Sequence, residues 1–306
     1  MKAKRNRRYW RNLGLFTLIC IIIGVLFLQY VGHPYYLAYG HSHPNSQPIC
    51  CTTPADRGLV YEDVVFPTQD GLNLSGWYIP SSNEAAIILL HGIASNRIMM
   101  LDLAEVIANH GYGVLLMDLR AHGDSEGDVY PFGGPEAEDV RAAVAYLQQN
   151  RDDIDPERIG IVGWSLGAQT AIMGAYVEPG IKAIVADGPG ATAFSDWPPP
   201  ETVEEWYYFP YDFFYYRFLA RHTAVTDPIS LKEALTKITA RPILFISSSV
   251  PTEQHRVEYL FEAAQEPKSL WHIPEAGHIG GFRLQPQEYE AKVIGFFDET
   301  LPEGSE

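Results

Sequence analysis

Gly163-Trp164-Ser165-Leu166-Gly167 is a G-x-S-x-G pentapeptide set between two patterned segments. The apolar run Ile159-Gly160-Ile161-Val162 precedes it, and residues 168–176 continue with helical spacing. A strand that turns into a helix through this pentapeptide puts the serine on a tight bend with its hydroxyl outward. The helix N-terminus then points positive charge at a developing oxyanion. Such a serine suits nucleophilic attack on a carbonyl and an acyl-enzyme intermediate. The bland alternative is a structural serine, since the pentapeptide also occurs by chance. The strand–turn–helix setting favours chemistry.

The surrounding pattern predicts the elements that must hold Ser165. Residues 62–67 and 72–79 flank the turn signal Gln69-Asp70-Gly71 and predict a hairpin. Strands are then expected at 85–90, 113–118, 159–163, 182–187, 242–247 and 270–273. Helices are expected at 97–110, 135–150, 166–176, 253–264 and 286–300. This alternation predicts an α/β fold, a mostly parallel sheet with helices on both faces. Active sites in such sheets lie at the carboxyl ends of the strands. Residues 189–238 interrupt the rhythm between two late strands and carry a dozen aromatic residues, Phe194 to Phe218. An insertion of that length predicts a cap over the site.

The chain resembles the α/β-hydrolase superfamily, in its esterase, monoglyceride-lipase and serine-aminopeptidase-like branch. Four motifs carry the resemblance: His91-Gly92, residues 118–125 (Asp118-Leu-Arg120-Ala-His122-Gly-Asp-Ser125), Gly163–Gly167, and Gly277-His278. It covers residues 58–300 and implies a serine hydrolase needing neither metal nor organic cofactor. It implies that the N–H groups of Ile93 and Leu166 form the oxyanion hole. His91 is expected to shape its loop, and Asp118, Arg120 and His122 to pack loops around the bend. Chain order implies His278 as general base, the only histidine after the last strand. The family's usual acid is an aspartate after the strand at 242–247, yet no aspartate lies between Asp227 and Asp298. Glu253 is the nearest carboxylate there. Asp187 at the preceding strand end is the rival, and a third possibility is that no acid exists.

Composition bounds the partners. The net charge is −16, and the first eleven residues hold six of the 22 basic residues and no acid. The remainder carries 16 basic against 38 acidic residues, which argues against nucleic acid. The three cysteines, Cys20, Cys50 and Cys51, form neither a disulfide framework nor a zinc pattern. His41 and His43 are expected as polar residues on a loop rather than a metal site.

Residues 13–31 hold no charge and are long enough to cross a bilayer. They are expected as a transmembrane signal-anchor, with residues 1–12 a basic cytoplasmic tail and the domain extracytoplasmic. A cleaved signal peptide is the alternative, though no clean cleavage site follows. Residues 32–60 are expected as a juxtamembrane linker that packs partly on the domain, without helical or strand period, and residues 61–306 as the hydrolase domain. The aromatic cap and the anchor together favour a small-molecule carboxylic ester, with lipid-derived esters among the candidates. The cap aromatics could equally be the cap's own core. A peptidase or amidase using the same triad, or a non-catalytic membrane-tethered binding protein, are the alternatives.

Overall fold

Residues 86–90 and 113–117 read AIILL and GVLLM, so neither strand has a side chain suited to water. Such strands must be covered on both faces. In the computed structural model, which describes residues 2–303, every one of these ten residues is buried. The eight strands are β1 Glu62–Pro67, β2 Asn73–Ile79, β3 Ala86–Leu90, β4 Gly113–Met117, β5 Ile159–Trp164, β6 Ile181–Asp187, β7 Ile243–Ser247 and β8 Lys268–His272. They form one sheet in the order β1-β2-β4-β3-β5-β6-β7-β8. The β1–β2 and β2–β4 pairs are antiparallel, and every later pair is parallel. The expected hairpin is the β1–β2 pair, and the fold is that of an α/β-hydrolase.

Two apolar cores lie on the two sides of the sheet. One packs Ile88, Leu90 and Ile161 against α4 Ala137–Asn150 and α5 Leu166–Val177. The other packs Ile87, Leu89 and Val162 against α3 Leu101–Asn109 and the C-terminal helix Pro286–Thr300. Burying each such Ile, Leu or Val contributes about 1.5–3 kcal/mol. Between β6 and β7 the chain leaves the sheet for α6 Val203–Thr223 and α7 Leu231–Lys237. Thr202 caps α6, accepting the Glu205 N–H at 3.2 Å while Glu205 takes the Thr202 N–H at 3.0 Å. Glu205 also meets His255 at 2.9 Å, tying the cap to α8 Pro251–Ala263.

The N-terminal helix α1 Lys2–Phe27 is long and apolar enough to cross a membrane, and its Leu, Ile and Phe side chains touch little else in the protein. Met1, residues 304–306 and the side chains of residues 2–5 and 7 lie outside the described residues. The expected basic tail is therefore described only in part. The expectation of an irregular linker over 32–60 needs correction at its start. A π-helical turn, Leu28–Gly32, leads without a break into a second helix, α2 His33–Ser42. The wide turn falls just ahead of Pro34, which has no N–H to give to the carbonyl four residues back. Helix α2 packs along α6, with His33 Nδ1 2.8 Å from the Tyr211 hydroxyl and His41 Nδ1 2.7 Å from that of Tyr215. His41 is thus a helical residue bonded to the cap rather than loop polarity. Composition concealed this helix because its apolar face is aromatic and its partner lies far away in sequence. Residues 50 and 51 are disulfide-bonded to each other.

Candidate active site

Ser165 follows β5 directly and opens α5. Its backbone sits at φ 55°, a left-handed value that a non-glycine residue adopts only when its surroundings impose it. Those surroundings are tight. A side chain at Gly163 would overlap the Gly167 carbonyl, and one at Gly167 would overlap the Leu90 carbonyl. The Ser165 N–H donates to the Asp187 carbonyl at 2.9 Å, holding the bend to the end of β6. The hydroxyl consequently projects above the carboxyl ends of the parallel strands.

His278 arrives from the loop after β8, in a turn closed by the Gly280 N–H donating to the Gly277 carbonyl at 2.8 Å. Its Nε2 lies 2.8 Å from the Ser165 hydroxyl oxygen. Its Nδ1 meets the Glu253 carboxylate, and because a carboxylate only accepts, the proton belongs on Nδ1. Nε2 is then free to accept the Ser165 proton. Glu253 stands in the first turn of α8, with one more methylene than an aspartate to reach the imidazole. Its other oxygen takes the Ser248 N–H at 2.9 Å. Burial pushes this carboxyl up, but the bonds from His278 and Ser248 outweigh burial and leave it below its ordinary value. The Glu253 and His278 loops are held together where the Ser249 N–H and hydroxyl both donate to the Ala276 carbonyl, at 2.8 and 2.7 Å.

Asp187 has a different environment. It accepts the Tyr289 hydroxyl at 2.9 Å, and that hydroxyl accepts the Trp164 indole N–H at 3.0 Å. No hydrogen bond joins it to His278 among the described residues. Burial pushes its carboxyl up to about 7 against the opposing Tyr289 bond. Of the two carboxylates that the sequence offers, the imidazole meets Glu253.

The loop after β3 runs past the nucleophile, so that a methyl built on Gly92 would come within 3.7 Å of the Ser165 Cβ. Neither the Ile93 nor the Leu166 N–H has an acceptor among the described residues, and both residues line the cavity that holds Ser165. His91 takes the Leu119 N–H at 3.1 Å, and His122 takes the Ala94 N–H at 3.2 Å. Burial pushes both imidazoles down to about 4, so both are neutral acceptors that shape the loop. Asp118 pairs with Arg97, and Arg120 with Asp139, beneath the same loops.

The cavity beside Ser165 measures about 250 Å³. Trp197, Tyr211, Tyr215 and Tyr216 of the insertion line it, whereas Trp206, Tyr207 and Phe213 are exposed on the outer side of the cap. The cap aromatics thus divide between the site and the surface. An adjoining groove of about 380 Å³ shares Trp197, Tyr211 and Asp212 with this cavity. Sequence reasoning missed several lining residues, among them Leu37 and His41 on α2, Gln169 on α5, Asp212 on α6 and Arg256 on α8. Two carried a usable signal. Gln169 lies one helical turn after Ser165, and Arg256 one turn after Glu253, so each shares a face with a catalytic candidate.

Comparison with known proteins agrees with this architecture. The profile of the alpha/beta hydrolase family matches residues 87–292. The uncharacterized protein Rv2307c of Mycobacterium tuberculosis is 32% identical over 245 residues, spanning 78% of this chain and 79% of its own. The uncharacterized protein YfhR of Escherichia coli is 27% identical over 258 residues, spanning 78% of this chain and 81% of its own. Among solved structures, the Pyrococcus furiosus esterase Pf2001 superposes with a TM-score of 0.69 and 26% identity, over 86% of this chain and 100% of that one.

Proposed function

The chain belongs to the alpha/beta hydrolase family, and on that footing we propose that it is a serine hydrolase cleaving carboxylic esters through an acyl-enzyme on Ser165. The observation that carries the reading is the unbroken line of bonds from the Ser165 hydroxyl through His278 to Glu253, opening on a cavity. In the first half-reaction His278 Nε2 takes the Ser165 proton as the oxygen attacks the ester carbonyl. The negative oxygen that forms is met by the Ile93 and Leu166 N–H groups. A donor of this kind is worth about 2.7–4 kcal/mol in the transition state. The imidazolium then gives its proton to the leaving alkoxide, and the acyl group stays on Ser165. Water repeats the sequence, losing its proton to His278 and releasing the acid. Glu253 holds the imidazole in the tautomer that both halves require.

The absent aspartate was the ground for a non-catalytic reading, and a glutamate bonded to Nδ1 supports catalysis instead. The esterase among the structural neighbours supports an ester over an amide. In the same proposal α1 crosses a bilayer, with the basic tail in the cytoplasm and the hydrolase domain on the far side. The aromatic cap and the α2 wall favour an apolar, lipid-derived acyl or alcohol group.

A fluorophosphonate probe tests the reading. The wild-type protein is expected to be labelled at Ser165, and Ser165→Ala to stay unlabelled. A wild-type protein that is folded and yet inert to the probe contradicts the proposal.

A further inference from the structure

The cavity beside Ser165 contains polar groups that ester cleavage leaves unused. Arg256 lines it from α8 and is only 9% exposed. Its Nε donates to the Pro189 carbonyl at 3.0 Å, and its guanidinium carbon lies 4.7 Å from the centre of the Trp197 ring. Neither Nη nitrogen has an acceptor among the described residues, and no carboxylate there forms an ion pair with it. The acids in its neighbourhood are mostly committed elsewhere. Glu253 serves His278 and Ser248. Asp196 takes the N–H groups of Thr192, Ala193 and Lys232 at 2.9–3.0 Å. Asp212 lines the cavity from α6 without pairing to the guanidinium. Gln169, 2% exposed, lines the same space, and its amide Nε2 is buried without an acceptor.

The Arg256 Nη donors are neither paired with a carboxylate nor sealed from solvent, so a negative group entering the cavity can meet them. The guanidinium's planar fork matches the paired oxygens of a carboxylate or phosphate. We infer that the cavity contains a subsite for an anionic oxygen group of the substrate, carboxylate or phosphate, with Arg256 as its cation. The inference rests on the hydrolytic reading of Ser165 and narrows the substrate to an ester that also carries an acidic group. Leu37, Ile93, Phe132 and Leu166 supply an apolar part of the same wall, which suits an acidic amphiphile.

The test uses the full-length protein in detergent and two p-nitrophenyl esters of equal chain length, the neutral valerate and the anionic hydrogen glutarate. The readout is the ratio of their kcat/KM values. Losing a hydrogen-bonded charge contact corresponds to a fall on the order of 10- to 100-fold. That fall is expected in Arg256→Met, a smaller one in Arg256→Lys, and a rise in Asp212→Asn, which removes a competing negative charge. An unchanged ratio in Arg256→Met overturns the subsite. Calorimetric titration of Ser165→Ala with pentanoate and with butyl phosphate separates this inference from the hydrolytic reading. Saturable binding that is lost on adding Arg256→Met upholds the subsite even if neither ester is turned over, and the tighter ligand identifies the acid. Absence of saturable binding by both anions overturns it, even if the neutral ester is hydrolysed.

Discussion

Replacing Glu253 with glutamine keeps the side chain's length and removes its charge. The carboxylate now satisfies two donors, one oxygen meeting His278 Nδ1 and the other the Ser248 N–H at 2.9 Å. Glutamine has a single oxygen for both. If that oxygen stays on Ser248, the amide NH2 faces Nδ1 and favours the imidazole protonated at Nε2. That tautomer cannot take the proton across the 2.8 Å contact with Ser165. If the oxygen turns to His278, the NH2 opposes the Ser248 N–H in a buried place, and the loop carrying the acid is disturbed. The expected loss in kcat is on the order of 10⁴-fold, the scale for losing tautomer control in such a triad. That equals about 5.4 kcal/mol of barrier. Asp187→Asn is the matched control. Its amide oxygen can still accept the Tyr289 hydroxyl, and Asp187 has no bond to His278 to lose. It should cost less than about tenfold, or about 1.4 kcal/mol. The assay is kcat for a p-nitrophenyl ester, normalised to the concentration of folded protein. If Asp187→Asn brings the large loss and Glu253→Gln the small one, the argument from the imidazole contact is refuted.

The same aspartate makes a prediction about stability. The buried Asp187 carboxyl titrates at about 7 instead of 3.8, so the folded protein holds this proton more firmly than the unfolded chain does. Wild type should therefore lose stability relative to Asp187→Asn as pH rises from 3.8 to about 7, and urea melts at pH 5 and pH 8 would reveal it; a gap that stays constant counts against the buried acid. Gly167→Ala pushes a methyl into the Leu90 carbonyl, an overpacking cost of about 1–3 kcal/mol. It should lower Tm by about 2–4 °C per kcal/mol and abolish probe labelling, and unchanged labelling would show that the bend has room to spare. Leu37→Trp enlarges a side chain on the α2 wall of the cavity. Across esters of graded length it should depress kcat/KM for long acyl chains and spare acetate, and a uniform effect would place Leu37 outside the acyl path.

The residues proposed for chemistry were legible because each follows a strand in sequence. Ser165 declared itself through two glycines that leave no room for side chains, and His278 through its place beyond β8. Glu253 stood out as the nearest carboxylate after β7, at the start of the helix expected over 253–264, which the structure begins at Pro251. The sheet was equally plain, since strands buried on both faces carry unbroken apolar runs. The polar cavity wall was legible only in part: helical spacing puts Gln169 and Arg256 on the faces of Ser165 and Glu253, but does not give their burial. Gln169 and Arg256 occupy helices whose outward positions also accept glutamine and arginine, and nothing local says that these two are buried. Helix α2 escaped for another reason. Its partners Tyr211 and Tyr215 lie 178 and 174 residues away from His33 and His41, a pairing that only the folded chain reveals.

The run from α1 through the wide turn into α2 makes the apolar N-terminal helix and one side of the chamber around Ser165 a single piece of backbone. Trimming the chain after residue 43 to obtain a readily handled protein would remove Leu37 and His41 and leave that side of the chamber open. Such a shortened protein could still react with small activated esters while losing discrimination among larger ones. Selectivity is therefore best measured with the helix present, and any tilt of α1 in its surroundings would be felt directly at the cap through the two histidine–tyrosine pairs.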